Sequence, residues 1–327
     1  MTLDVLALEP YFGGSHRAVL DGWSAASRHC FTVLGLPPHH WKWRMRHAAI
    51  DFARQANDAL AAREGRPWDV VWASSMLDLA TWRGLAPTPI AGLPACLYFH
   101  ENQLTYPTRD DEPRDLHFAM THLTSGLAAQ RVAFNSQFHR EEFLKAAAQL
   151  VRRLPERRLV SAVDDIAQRS EVASPGIEPA TPRPAARPPG PLRVVWAARW
   201  EHDKGPDDFF AALFAVIERG VEVRVSVLGE SFRTAPAIFE RARLVLGHRV
   251  DRWGGVADRS DYWRALASAD VFVSTAHHEF FGIAAAEAAA AGCLPLVPDR
   301  LAYPELLADA SPEARTEAFY DGSVDDL

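Results

Sequence analysis

The sequence has no apolar run of the roughly 18 residues that a membrane-spanning helix needs. Its start, Met1-Thr-Leu-Asp-Val-Leu-Ala-Leu-Glu-Pro10, has no basic segment and only a short apolar run. It reads as a buried strand rather than a signal peptide. Cysteine is scarce: Cys30, Cys96 and Cys293 are the only three, far apart and without a C-x-x-C pair. That speaks against a disulfide framework or a thiolate metal site and suits small buried hydrophobes in a reducing compartment. These absences predict a cytoplasmic protein with no membrane segment. Basic excess is missing too. Lys and Arg number 35 against 42 Asp and Glu, a net charge of −7, so a polyanionic partner must be met by local patches.

What is present is apolar bulk. Hydrophobic residues make up 48% of 327, enough for sizeable cores, and at roughly 100–200 residues per domain the length suggests two domains. Short apolar runs at Leu3–Leu8, Phe31–Leu36, Val70–Ala73, Ala95–Phe99 and Val132–Phe134 alternate with helix-like stretches at Arg44–Arg63, His117–Ala129 and Phe138–Val151. Strands apolar on both faces, separated by helices, indicate a parallel sheet covered on both sides. The segment 175–191 is too proline-rich for either element, because proline fixes φ and lacks an N–H. The alternation then restarts, with strands at Leu192–Ala197, Val223–Leu228, Val271–Ser274 and Leu294–Val297 and helices at Pro206–Arg219, Ser260–Ser268 and Phe281–Ala291. The predicted organisation is an α/β domain over 1–178, a linker over 179–191 and a second α/β domain over 192–327.

Polar residues cluster where strands end, the edge at which open α/β sheets bind ligands. In the second domain Arg199 and Lys204 span the loop after the first strand. Two cations beside a helix N-terminus suit a diphosphate, although surface cations at a loop would look the same. His278-Glu279-Phe-Phe-Gly282-Ile283 leads into an alanine-rich helix containing Glu287. Carboxylates there can accept hydrogen bonds from sugar or ribose hydroxyls. Glu279 alone could be a favourable charge near a helix start, whereas Glu287 in an apolar helix needs a partner.

In the first domain Gly13, Gly14, Ser15 and His16 follow the first strand. Paired glycines allow close backbone approach to a ligand, or form a plain tight turn. His100, Glu101, Asn102 and Gln103 leave the fourth strand together, and His100 can serve as acid, base or hydrogen-bond partner. Asn135 and Ser136 follow the next strand, where an N-cap is the simplest role. Two short stretches are basic, Trp41-Lys42-Trp43-Arg44-Met-Arg-His47 and Arg152-Arg153 with Arg157-Arg158. Cations between tryptophans suit base stacking and phosphate contact, though helix-surface packing would use the same residues.

In this order, Arg199-x4-Lys204 and Glu279-x7-Glu287 resemble the donor site of the retaining GT-B glycosyltransferases of family four. The Gly-Gly turn, the Asn-Ser and Ser174-Pro-Gly-Ile-Glu178 are similar to that family too. Phe12-Gly-Gly-Ser-His16, Trp41-Lys-Trp-Arg44, the string Phe99 to Pro107 and Phe134-Asn-Ser136 resemble the tRNA-queuosine α-mannosyltransferases, over nearly the whole chain from Leu3 to about Leu307. The resemblance implies two Rossmann-like lobes with a cleft between them, and mannose transfer from GDP-mannose to queuosine in a tRNA anticodon. It implies donor binding by Gly13, Gly14, Ser15, His16, Arg199, Lys204, Gly282, Ile283 and Glu287, and catalytic roles for His100, Arg199, Lys204 and Glu279. Lys42, Trp43, Arg44, Glu101, Asn102, Gln103 and Asn135 would meet the tRNA.

No Asp-x-Asp is present, so the chemistry is expected to need no metal and no cofactor beyond the nucleotide-sugar donor. With no evident inverting base, retention is expected. The segment 308–327, an acidic tail, departs from the helix that usually closes such folds. A lipid, saccharide or small-molecule acceptor, or a non-catalytic nucleotide-sugar or RNA-binding module, are the alternatives. An NAD(P) oxidoreductase lacks its G-x-G-x-x-G, and a glycosidase built on Glu279 and Glu287 would leave the Arg/Lys pair without purpose.

Overall fold

Residues of opposite parity along each strand feed opposite cores. In β1 (Asp4–Glu9), Val5 and Ala7 pack with Leu20, Trp72 and Tyr98, while Leu6 and Leu8 pack with Phe52, Phe99, Phe134 and Phe143. A sheet buried on both faces is what continuous apolar strands require. Each fully buried Phe or Leu there contributes about 1.5–3 kcal/mol. The computed structural model describes residues 1–108, 114–155, 159–178, 190–231, 235–256 and 258–327. Most of the proline-rich linker, and Arg157 and Arg158 of the basic cluster, lie outside the described residues.

The chain divides into two units, Met1–Gly176 and Ile177–Leu327. The first holds β1 with β2 (Cys30–Gly35), β3 (Val70–Ser74), β4 (Ala95–Phe99), β5 (Arg131–Phe134) and β6 (Ser170–Val172), in the order β2-β1-β3-β4-β5-β6. Every pairing is parallel. The C-terminal ends of β1, β3, β4 and β5 therefore deliver Glu9, Ser74, His100 and Asn135 to one rim.

The second unit repeats this plan with β7 (Leu192–Ala197), β8 (Val223–Leu228), β9 (Val250–Gly254), β10 (Val271–Val273), β11 (Leu294–Pro298) and β12 (Phe319–Tyr320), ordered β12-β11-β10-β7-β8-β9 and again parallel. Val194 and Trp196 join Phe209, Phe210 and Phe239, whereas Val195 and Ala197 join Leu266, Phe272 and Ala288.

Three strands were not anticipated, β6, β9 and β12, all at sheet edges. They are short or polar and lack the apolar run that marks a central strand. The expected acidic tail is part of the second sheet. After the helix Pro312–Ala318, β12 pairs with β11 and the buried Tyr320 hydroxyl donates to Ser274 O at 3.0 Å. The cysteines are free, but only Cys293 is buried. Cys96 is half-buried and Cys30 exposed, because Cys30 begins the edge strand β2. A small buried hydrophobe is thus the wrong description of Cys30.

Candidate functional site

In the second unit the loop between β7 and the helix Pro206–Glu218 turns through Gly205 at φ +62°. A Cβ at Gly205 would sit 2.1 Å from Thr275 O, so only glycine lets this loop close on the segment after β10. That approach buries Lys204. Its Nζ donates to His278 O at 2.8 Å and lies 3.2 Å from Asp203 and 3.4 Å from Glu279. Burial opposes the charge, but Glu279 and Asp203 prevail and hold the lysine pKa above its ordinary value. Burial also opposes the charge of Glu279, yet Lys204 holds its carboxyl below the usual range. The two groups are a charged pair.

Gly282, at φ +87°, caps the helix Ile283–Ala290 without a side-chain bond and with no acidic residue in the first turn. A helix start of this kind leaves N–H groups for an anion. Lys204, Glu279, Gly282 and Ser274 line one recess at the C-terminal ends of β7 and β10. Arg199 stands in the same loop, partly exposed, 3.3 Å from Glu201. Glu287, just over one turn into the helix, is 3% exposed. It is paired with Arg259. Arg259 also reaches Glu178 at 3.2 Å, and Trp263 Nε1 donates to the same Glu178 oxygen at 3.0 Å. Sequence reasoning missed Arg259, which carries no motif and is brought to Glu287 by packing of neighbouring helices.

In the first unit His16 and His100 come together over a residue not foreseen as part of a site, Glu9. Its carboxylate is wholly enclosed. Ser74 Oγ and Tyr11 N each donate to Oε1 at 2.9 Å. His16 Nδ1 lies 3.3 Å from Oε1 and His100 Nε2 3.7 Å from Oε2. The two imidazoles stack at 4.0 Å between centroids. Burial first, then His16 and His139, push the His100 pKa well below its ordinary value, leaving the ring neutral. A signal was available: a carboxylate that follows the apolar run Val5–Leu8 at the end of the strand, shortly before paired glycines. Gly13 is packed against Pro38 and caps the helix Gly14–Ala26, while Gly14 takes φ +52° and Ser15 is exposed.

The string after β4 is largely occupied with its own turn. Asn102 is buried, and its Oδ1 accepts from Leu104 N and Thr105 N. Gln103 N donates to buried His122, and its side chain bonds Glu101 at 3.2 Å. Asn135 donates to His100 O at 2.9 Å, and its Oδ1 lies 2.7 Å from His139 Nδ1. Ser136 caps the helix Gln137–Arg152. The basic stretch opens the helix Trp41–Ala62. Trp43 is 66% exposed and Lys42 exposed, whereas Trp41 is half-buried and packs on Phe118. Arg44 is tied to Pro37 O and to His39 and His47.

Residues 4–177 match the family described as tRNA-queuosine alpha-mannosyltransferase N-terminal, and residues 178–324 match glycosyl transferases group 1. A tRNA-queuosine alpha-mannosyltransferase of Drosophila melanogaster is 34% identical over 313 residues, 92% of this chain and 81% of that protein. A GDP-mannose-dependent alpha-(1-6)-phosphatidylinositol dimannoside mannosyltransferase of Mycobacterium tuberculosis is 32% identical over 40% of this chain and 35% of its own. Among solved structures, the catalytic domain of Arabidopsis thaliana starch synthase IV bound to ADP and acarbose aligns at TM-score 0.68 and 14% identity, covering 93% of this chain and 84% of that one. Anabaena HepE in complex with UDP and glucose aligns at 0.60 and 17%, covering 93% and 82%. The fold is GT-B and the chain is a glycosyltransferase.

Proposed function

The chain belongs to the tRNA-queuosine alpha-mannosyltransferase family, and from that premise we propose that it moves mannose from GDP-mannose to queuosine in a tRNA anticodon, with retention and without a metal. The observation that carries the donor side is the recess where buried Lys204 and the uncapped helix start at Gly282 meet. Both favour a diphosphate. As the bond between the anomeric carbon and the diphosphate breaks, negative charge grows on the leaving group. Lys204, Arg199 and the N–H groups beyond Gly282 neutralise it in place of a cation. Glu279 takes hexose hydroxyls, Glu287 the ribose, and Ile283 contributes backbone. Gly13, Gly14, Ser15 and His16, after β1, are further donor-binding residues on this reading.

The acceptor hydroxyl attacks from the face the diphosphate leaves and passes its proton to the departing oxygen, which gives retention. His100 meets the sugar or the acceptor hydroxyl. Lys42, Trp43 and Arg44 offer a stacking ring and cations to the tRNA, and Glu101, Asn102, Gln103 and Asn135 shape the acceptor side. A cytoplasmic location follows from the tRNA acceptor, and among the described residues no helix is long and apolar enough to cross a membrane.

The test incubates the protein with queuosine-containing tRNA and GDP-mannose, UDP-galactose or UDP-glucose, followed by nucleoside mass spectrometry. A hexose on queuosine with GDP-mannose alone is expected. Donor binding without transfer would move the reading to another acceptor or to a non-catalytic binding module.

A further inference from the structure

We propose that Glu9 is a positioning residue for the transfer, its buried carboxylate fixing the stacked His16 and His100 so that His100 Nδ1 is the nitrogen that accepts a hydroxyl hydrogen. This deepens the glycosyltransferase reading and rests on it.

A buried carboxylate is costly unless it is bonded. Glu9 Oε1 has two donors, Ser74 Oγ and Tyr11 N, which lock the group in place at the end of β1. Among the described residues neither Glu9 Oε2 nor His100 Nε2 has a hydrogen-bond partner, yet they face each other at 3.7 Å. A carboxylate opposite one ring nitrogen keeps the proton there and leaves the lone pair on the other. The His100 ring is neutral, so it has one N–H and one lone pair, and its tautomer decides whether it can accept or donate. Glu9 selects Nε2–H, which makes Nδ1 the acceptor. The His16 ring, stacked on His100 and 3.3 Å from the same carboxylate, stops the imidazole from flipping. Asn135 anchors the backbone at the same residue through His100 O.

A metal ion is the competing use of these groups, since their ligand atoms lie within 4.8 Å of one another. A bound imidazole aims an in-plane lone pair at its ion from about 2.0–2.1 Å. Two rings stacked at 4.0 Å with planes only 22° apart converge too little to share one.

The test compares the wild type with Glu9→Gln and Glu9→Asp by steady-state kinetics on queuosine tRNA and by ¹⁵N NMR of histidine-labelled protein. Glu9→Gln preserves volume and can still accept from Ser74, so Tm should hold. Its kcat should fall about 10²-fold while the donor KM moves by about threefold or less. Glu9→Asp should recover part of the loss. The His100 signals should report Nε2–H in the wild type and a mixed or reversed tautomer in Glu9→Gln. Wild-type kcat in Glu9→Gln, or an unchanged tautomer, would overturn the proposal. So would a stoichiometric transition metal in the wild type that is lost with Glu9→Gln. If the wild type transfers no sugar, the functional reading fails on its own, and the NMR comparison still decides what Glu9 does.

Discussion

The carboxylate of Glu287 is paired with the guanidinium of Arg259. If Glu287 holds the ribose as proposed, the ribose meets an ion pair rather than a bare carboxylate. Glu287→Ala should weaken GDP binding by about ten- to a hundredfold in calorimetry, the worth of hydrogen bonds to a charged group. Unchanged affinity would remove Glu287 from the ribose. Arg259→Ala leaves a buried charge behind. It should destabilise the protein by on the order of 2 kcal/mol, less than a fully buried pair because Arg259 is 40% exposed. Denaturant titration reads this directly.

Arg199 and Lys204 should differ in weight. Lys204 is enclosed and faces two carboxylates, whereas the Arg199 side chain is 41% exposed. Lys204→Ala should lower turnover by about 10²–10³-fold and Arg199→Ala by about tenfold, as expected for groups aimed at developing charge. Near-wild-type turnover in either variant would take that residue out of the reaction.

Transfer should continue in EDTA at an unchanged rate. Loss of activity in EDTA that Mg²⁺ or Mn²⁺ restores would show that a cation, rather than Lys204 and Arg199, carries the diphosphate charge.

Trp43 is 66% exposed at the start of its helix, so Trp43→Ala should leave Tm nearly unchanged. If a base stacks on it, the tRNA KM should rise by about five- to a hundredfold, the range for one lost stacking contact, with kcat little affected. An unaltered tRNA KM would return this stretch to plain helix surface.

Acid should destabilise the fold through its buried histidines. Burial pushes His122 down to about 3, and His100 shifts in the same direction. Against an unfolded value of about 6.5, the unfolded chain binds protons that the folded one refuses. Stability therefore rises with pH between the folded and unfolded values and falls as the pH drops below about 6.5, by up to about 1.4 kcal/mol per pH unit for each histidine. Thermal melts between about pH 7.5 and 5 should show Tm dropping, and a flat profile would contradict the burial of neutral His122 and His100.

The strands β4, β7 and β8 could be read to the residue because central strands carry uninterrupted apolar runs between turn residues. The edge strands β6, β9 and β12 could not. Val250-Asp-Arg-Trp-Gly254 and Ser170-Glu-Val172 alternate with charge, and what makes them strands is a neighbour far away in sequence. The same holds for the sites. Lys204, Glu279 and Gly282 were visible as spacing around a strand end. The pairing of Glu287 with Arg259 and the turn that engages Asn102 are products of tertiary packing. Glu9 lay in plain view at the end of β1, but its role depends on two histidines delivered by separate segments of the chain.

Cys30 gives the molecule a chemical handle. It is exposed at the beginning of β2, on the rim of the sheet opposite the one that carries Glu9 and His100. Burial pushes Cys96 up to about 11 and Cys293 is enclosed, so both react slowly near neutral pH. A maleimide fluorophore should attach at position 30 alone. It would give a singly labelled enzyme whose dye stands clear of the histidine pair, ready for anisotropy titrations with tRNA without removal of any native cysteine.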